Sequence, residues 1–291
     1  KVEHEYPMLS LDKTKSPDTL VKFVGDKEAI VMLKMDGLTI GIIYENGVLV
    51  RAETRGDGIV GEDITDNVKT FSNIPLEIPY KDRLVVFGEA IIDYETFDLI
   101  NSKLPEDDKY KNPRNLCSGT VRQLNSKVCA DRNVKFIAWR LVEGSSKNSF
   151  LKRLDELDNY GFETVQTVRF DKDIISIRLE EAKQTAYRLG YPIDGCVISF
   201  DDNDYMLSLG QTSHHLRGQI AYKYQEESEE TTLQDIEWSL GKTGALCPVA
   251  IFEPVELAGT TVTRASLHNI SIMKKLKIQV GSTVTVVKKN E

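Results

Sequence analysis

Cysteine is scarce in this 291-residue chain: four residues, Cys117, Cys129, Cys196 and Cys247, widely spaced and with no C-x-x-C pair. That spacing argues against a zinc site and against a disulfide framework. Reduced thiols in an intracellular, cytoplasmic protein are the expectation. No apolar run approaches the ~20 residues that a membrane-spanning helix needs, and Lys1 to Asp12 lacks the apolar segment of a secretory signal. A basic excess is missing as well. The 45 acidic and 37 basic residues give a net charge of −8, which argues against a protein that coats nucleic acid generally but leaves room for a basic groove on an acidic surface. There is no internal repeat and no low-complexity segment. What remains is 41% hydrophobic and 28% charged, the composition of a soluble globular protein with one large domain or two smaller ones. The first residue is Lys rather than Met, so a piece of a longer chain is expected.

The pattern divides near Ser228. Before it, strands and helices mix. Ser16-Pro17-Asp18 places an N-cap and a proline at the head of a short helix over Lys13 to Phe23. Ala29–Met35, Leu38–Tyr44 and Val48–Ala52 are rich in Ile, Val and Leu and read as strands, with Asn46-Gly47 as a two-residue hairpin turn. Leu84–Ile92, Val134–Leu141, Cys196–Phe200 and Ile220–Tyr224 are further strands. Tyr94–Ser102, Asn112 to about Leu124, Ser149–Tyr160 and Ile174–Leu189 are helices, the last two closed by Gly161 and Gly190. After Ser228 the helices stop and short strands with turn signals suggest a small β-barrel. Its abrupt end in the run Thr283–Lys288 leaves an edge unpaired, so a truncated barrel is expected.

Four groups of residues stand out chemically. Val31-Met32-Leu33-Lys34-Met35-Asp36-Gly37 carries a lysine inside an apolar strand, and the period of two puts Lys34 and Asp36 on one face. Such a lysine loses hydration and becomes a candidate nucleophile. Arg55 sits in Thr54-Arg55-Gly56-Asp57-Gly58, where glycines free backbone N–H groups to meet an anion and the guanidinium adds a fork. Arg114 and Arg122 lie eight residues apart on one helix, about 80° from each other in projection, so both can face one cleft. Glu89 and Asp194 each adjoin a glycine in an apolar strand, a costly place for an acid unless it is paired or holds a metal; oxygen ligands of this kind suit Mg²⁺ or Mn²⁺. Lys223 is the mirror case, a cation in the apolar run Ile220-Ala221-Tyr222-Lys223-Tyr224. Taken singly, each is more often a salt-bridged surface residue.

Taken in order, these segments resemble the adenylation domain of the NAD⁺-dependent DNA ligases over nearly the whole chain. Lys34-Met35-Asp36-Gly37 resembles the K-x-D-G nucleotidyl-transfer motif. Pro7-Met8-Leu9-Ser10-Leu11-Asp12 is similar to the leading segment of the family. Thr54-Arg55-Gly56-Asp57-Gly58 with Gly61-Glu62-Asp63, Asn112-Pro113-Arg114-Asn115 with Gly119 and Arg122-Gln123-Leu124, and Ile193-Asp194-Gly195 resemble its further motifs. Gly241-Lys242-Thr243-Gly244, Pro248-Val249-Ala250, Glu253-Pro254-Val255 and Ala265-Ser266-Leu267-His268-Asn269 resemble the start of its OB barrel.

The resemblance implies an α+β architecture: an ATP-grasp-like nucleotidyltransferase domain of mixed and antiparallel sheets over 1–230, then a partial OB fold over 231–291. It implies a ligase of nicked duplex DNA, working as a monomer with NAD⁺ and Mg²⁺ (or Mn²⁺). Lys34 would attack the α-phosphorus of NAD⁺ and carry AMP, which would pass to a DNA 5′-phosphate. Asp36 and Glu89 would contact the ribose or the metal shell, Arg55 and Arg114 the ribose or phosphate, and Lys223 the α-phosphate. Asp194 would join the metal-side acids. Trp139 aligns with an aromatic of the nucleotide pocket, Ser10 and Leu11 with the adenosine-contacting segment, and Arg122 with a DNA phosphate contact.

Several positions depart from the family pattern. Met32 stands where a glutamate is usual, Phe87 where an arginine is usual, and Ser199 where a lysine expected to bind the α-phosphate is usual. Lys242 replaces an arginine, and His214 and Leu216 replace Arg and Pro. Relative to the family, the preceding domain that reads nicotinamide mononucleotide and the domains that follow the barrel are expected to be absent, and reaction with NAD⁺ to be crippled. Two alternatives stay open: a degenerate ligase fold that binds nucleotide or nucleic acid without turnover, and a ligase that uses ATP.

Overall fold

A computed structural model describes residues 1–212, 215–224, 228–240, 246–257, 260–267 and 270–287. The chain is α+β and divides into two compact units, Lys1–Tyr224 and Gln225–Glu291. Lys242, His214, Gly241 to Gly244, His268 and Asn269 lie outside the described residues.

Beside a two-residue pair, Val2–Glu3 with Val60–Gly61, the two main sheets of the first unit use nine strands: β1 (Ser10–Thr14), β2 (Ala29–Met35), β3 (Leu38–Glu45), β4 (Val48–Thr54), β5 (Leu84–Ile91), β6 (Lys135–Glu143), β7 (Thr167–Phe170), β8 (Ile193–Phe200) and β9 (His215–Tyr222). They form a five-stranded sheet in the order β1-β9-β8-β2-β7 and a four-stranded sheet in the order β4-β3-β5-β6. All pairs are antiparallel except β9 with β1. β2 is central and buried at every position but Lys34, which is why it reads as an almost unbroken apolar run: both of its faces leave water. The β3–β4 turn has Asn46 at φ 52° and Gly47 at φ 79°, the left-handed pair that matches the twist of a tight hairpin. One large core holds Met32, Met35, Ile40, Ile42, Val86, Phe136 and Leu154 together. On the other side of the first sheet, Leu20, Val31, Ile175, Leu179 and Ile198 form a second core under the helices Pro17–Val24 and Ile175–Leu189.

Register decides what faces the space between the sheets. On β2 and β8, Met32 pairs with Val197 and Ile30 with Ser199; Ser199 pairs in turn with Gln219 on β9. Directly paired residues share a face, so Lys34, Met32, Val197, Ser199, Gln219 and Lys223 belong to one wall. On the other sheet Thr39 pairs with Glu89, and Phe87 with Arg140.

Some boundaries differ from those expected. The first helix is Pro17–Val24, because the residues before Ser16 are drawn into β1 beside β9. The helix after Asn112 ends at Val121, and a separate short helix, Ser126–Ala130, follows. The second unit carries a four-stranded sheet of Ser228–Leu240, Leu246–Leu257, Thr260–Ser266 and Thr283–Val287. The expectation that helices stop after Ser228 is corrected: Ile270–Leu276 is helical. Met273 on that helix packs on the core of Leu233, Ala250, Phe252 and Leu267, a tertiary contact that a scan for turn signals passes over.

Gly37, between β2 and β3, is fixed by crowding. A Cβ there would lie 2.0 Å from the carbonyl oxygen of Ala90 on the paired strand β5. That obstacle is backbone and cannot swing away. Gly37→Ala should therefore cost about 2 kcal/mol, read as a lowered thermal midpoint with no change in exposed charge.

Candidate active site

Lys34 projects from the C-terminal end of β2 with its side chain 26% exposed. Its ammonium lies 2.9 Å from Asp194 Oδ1 and donates a hydrogen bond of 3.2 Å to Oδ2. Lys223, one residue beyond β9 and held there by its N–H to the Thr14 carbonyl, brings a second ammonium to 3.4 Å from Asp194 Oδ2. Asp194 reaches this face because the β8–β2 register shifts between Ile193 and Gly195. Gly195 sits there at φ 148°, and a Cβ would strike the Tyr222 carbonyl at 2.0 Å. Such an irregularity re-aims a side chain that strict alternation would send to the other face.

The remaining polar groups come from the second sheet and its loops. Glu89 Oε2 accepts from Thr39 Oγ1 at 3.0 Å. Burial outweighs the nearby Lys34 and pushes the Glu89 carboxyl up to about 7. Asp36 follows β2, accepts from Arg114 Nη1 at 3.0 Å, and is also raised, chiefly by burial. Arg114 lies in the first turn of the Pro113–Val121 helix, capped by the Asn112 side chain. Arg55 heads a loop fastened by its own N–H to the Thr39 carbonyl at 3.0 Å and by His4, whose Nε2 meets the Arg55 carbonyl at 2.9 Å while Nδ1 meets Glu53 at 2.8 Å.

These groups rim a cavity of about 260 Å³. Lys34, Arg55, Glu89, Arg114, Asp194 and Lys223 line it, with Ser10 and Leu11 from β1 and Trp139 from β6. Asp36 is linked to it through Arg114 rather than lining it. The expectation that Arg114 and Arg122 face one cleft is corrected. Arg122 caps the end of the helix, is 51% exposed and pairs with Glu62 at 3.5 Å. The helix has ended by then, so the 100° projection no longer applies.

A family model for the NAD-dependent DNA ligase adenylation domain matches residues 1–227, and one for the OB-fold domain of the same enzymes matches 230–291. The chain belongs to the NAD-dependent DNA ligase family. Among its relatives, the DNA ligase of Lachnoclostridium phytofermentans is 50% identical over 294 residues, covering 100% of this chain and 45% of the relative. That of Ruminiclostridium cellulolyticum is 48% identical over 298 residues, with 100% and 45% covered. That of Bacillus licheniformis is 43% identical over 307 residues, with 99% and 45% covered. The chain thus spans less than half the length of these ligases. No helix among the described residues is long and apolar enough to cross a membrane.

Of the departures from the NAD-dependent ligase pattern, Met32 lines the cavity two residues from Lys34, and Phe87 packs on Trp139 with ring centroids 6.0 Å apart. Ser199 is fully buried and accepts from Gln219 Nε2 at 3.2 Å. Its backbone stands four residues along β8 from the partner of Lys34, about 13 Å at strand rise. Ser199 itself does not line the cavity; its partner Gln219 does. Sequence reading missed Arg140 and Gln219, which also line it. The signal was available for Arg140, a cation in the apolar run Phe136–Leu141, the same pattern that singled out Lys223.

Mg²⁺ fits this donor set in part. Among the described residues no cluster of three acidic, histidine or cysteine groups exists. Asp194 Oδ1 is buried without a hydrogen bond, its 2.9 Å contact to Lys34 being ionic but outside hydrogen-bond geometry. Mg²⁺ commonly takes one or two carboxylates and completes its shell with substrate phosphate, and Asp194 with Glu89 supplies that much.

Proposed function

We propose that this chain is the nucleotidyl-transfer core of a DNA ligase that uses NAD⁺ and seals nicks through a lysyl-AMP intermediate. One observation carries the reading: an ammonium in an apolar strand, held by a half-buried carboxylate beside a second ammonium, in the lining of a cavity of about 260 Å³. Lys34 Nζ bonds to the α-phosphorus of NAD⁺, and the bond to the bridging oxygen breaks, so nicotinamide mononucleotide leaves with the electron pair. Asp194, already against Nζ, is the group placed to take the proton. Lys223, Arg55 and Arg114 offset charge growing on the phosphoryl oxygens, where fixed cations in a poorly solvated site are most effective. Ser10, Leu11 and Trp139 hold the nucleoside, and Asp36 positions Arg114.

Glu89 and Asp194 are the side chains that would hold Mg²⁺. Bound there, the ion neutralises phosphate charge. AMP then passes to a 5′-phosphate at the nick and is displaced by the 3′-OH. Arg122, exposed at the end of its helix, is suited to a DNA phosphate. We assign the enzyme to the cytoplasm as a monomer, with the domain division at 230/231.

Intact mass after incubation with NAD⁺ and Mg²⁺ tests this. The full-length protein should gain one AMP, mapped to Lys34. A gain from ATP and none from NAD⁺ would replace the donor, and no gain from either would leave a nucleotide-binding module.

A further inference from the structure

The cavity lining includes a cation with no ion pair among the described residues. Arg140 on β6 lines the cavity, its Nε is buried without a hydrogen-bond partner, and it forms no ion pair among the described residues. Burial, with Arg153 nearby, pulls the guanidinium down to about 10. A buried N–H left without an acceptor is costly, and an acceptor supplied by something that binds would resolve it. Arg140 is aimed inward by a shift in the β5–β6 register: Phe87 pairs with Arg140 and Gly88 with Ala138, which leaves Trp139 as the extra residue. Trp139 and Arg140 consequently both face the cavity, one as a flat apolar ring and the other as a donor fork.

Position along the wall says which part of a nucleotide would meet that fork. Phe87 and Arg140 lie two residues along β5 from Glu89, about 7 Å from the Lys34 end. Met32, Val197 and Gln219 line the cavity as well. The carboxylates lining the cavity, Glu89 and Asp194, belong to the Lys34 end. Gln219 Nε2 gives one of its two N–H groups to Ser199 Oγ, which leaves a single N–H beside Oε1 on that side chain. An arginine fork matches two adjacent acceptors, such as O6 and N7 of a 6-oxopurine.

We propose that Arg140 is a specificity-determining residue for the nucleobase, donating to the acceptor edge of a purine stacked by Trp139, so that a 6-oxopurine nucleotide binds at least as tightly as its adenine counterpart. The proposal rests on the nucleotide reading of the cavity and adds to it the identity of the base-reading group.

Calorimetric titration of the full-length protein with AMP, IMP and ribose 5-phosphate tests it. The wild type should bind IMP as tightly as AMP or more tightly. Arg140→Met should weaken IMP at least about tenfold, the scale of one bidentate base contact, weaken AMP less, and leave ribose 5-phosphate unchanged. Arg140→Lys restores the charge without the fork and should recover only part of the IMP loss. IMP binding more than about tenfold weaker than AMP in the wild type would overturn the proposal. So would an Arg140→Met variant that weakens all three compounds equally, or an Arg140→Lys variant indistinguishable from wild type. Base reading alone fails if Lys34 still gains AMP but the IMP-to-AMP ratio ignores residue 140. If no compound binds and no adduct forms, the nucleotide reading fails with it.

Discussion

Replacing Lys34 by alanine should abolish self-adenylation and lower the sealing of an ordinary nick at least about a thousandfold, while a nick that already carries 5′-AMP is still closed at a rate within about tenfold of wild type. The two substrates separate the roles of the site. Only the first displacement makes a bond to the lysine nitrogen. The last one, attack by a 3′-OH on an adenylated 5′-phosphate, asks for positioning and fixed positive charge, which Lys223, Arg55 and Arg114 still provide. Lys34→Arg is the informative companion. It keeps a cation beside Asp194, whose Oδ1 lies 2.9 Å from the native ammonium, but a guanidinium stays protonated and does not act as a nucleophile. Adenylation should be lost in both variants, and the sealing of pre-adenylated DNA should be better in Lys34→Arg. Gel-based single-turnover assays on the two substrates read both results. Equal loss on both would mean that Lys34 acts through the charge balance of the site rather than as the AMP acceptor.

The second large effect concerns stability and pH. Glu89 is pushed from its ordinary 4.5 to about 7 in the fold, mainly by burial. Between those values the folded chain keeps a proton that the unfolded chain has lost. The stability this group contributes is therefore full below 4.5 and is lost as pH rises through about 7, the reverse of a salt-bridged acid. The whole shift corresponds to about 3 kcal/mol, and water in the cavity brings the expected loss nearer about 2 kcal/mol. Glu89→Gln holds the neutral form at all pH values. Urea unfolding from pH 5 to pH 8 should show the wild type weakening relative to this variant by that amount, with the two converging at the acid end. Parallel curves would mean that Glu89 stays ionised in the folded protein.

Much of the site was legible because motif residues sit where strand periodicity and turn chemistry also point. The apolar run around Lys34, the Asn46-Gly47 hairpin and the Asn112-Pro113 helix start each combine a local conformational demand with a chemical group. Two other features were not legible. Asp194 meets Lys34 only because β8 shifts register beside Gly195, and alternation alone sends that carboxylate to the opposite face. Ser199 is fully buried and accepts from Gln219, a pairing set by the register of two strands distant in sequence.

By itself, the sequence determined the family, the α+β class, the candidate nucleophile and the candidate acids and cations around it, since each is a residue type at a fixed spacing in a local element. The tertiary structure alone decided which of them share a cavity. It brought Arg114 onto Asp36 and left Arg122 outside beside Glu62. It also placed Arg140, with no ion pair among the described residues, in the lining of the same cavity. Those outcomes depend on register between strands far apart in the chain, where a one-residue shift turns a side chain from the core to the other face.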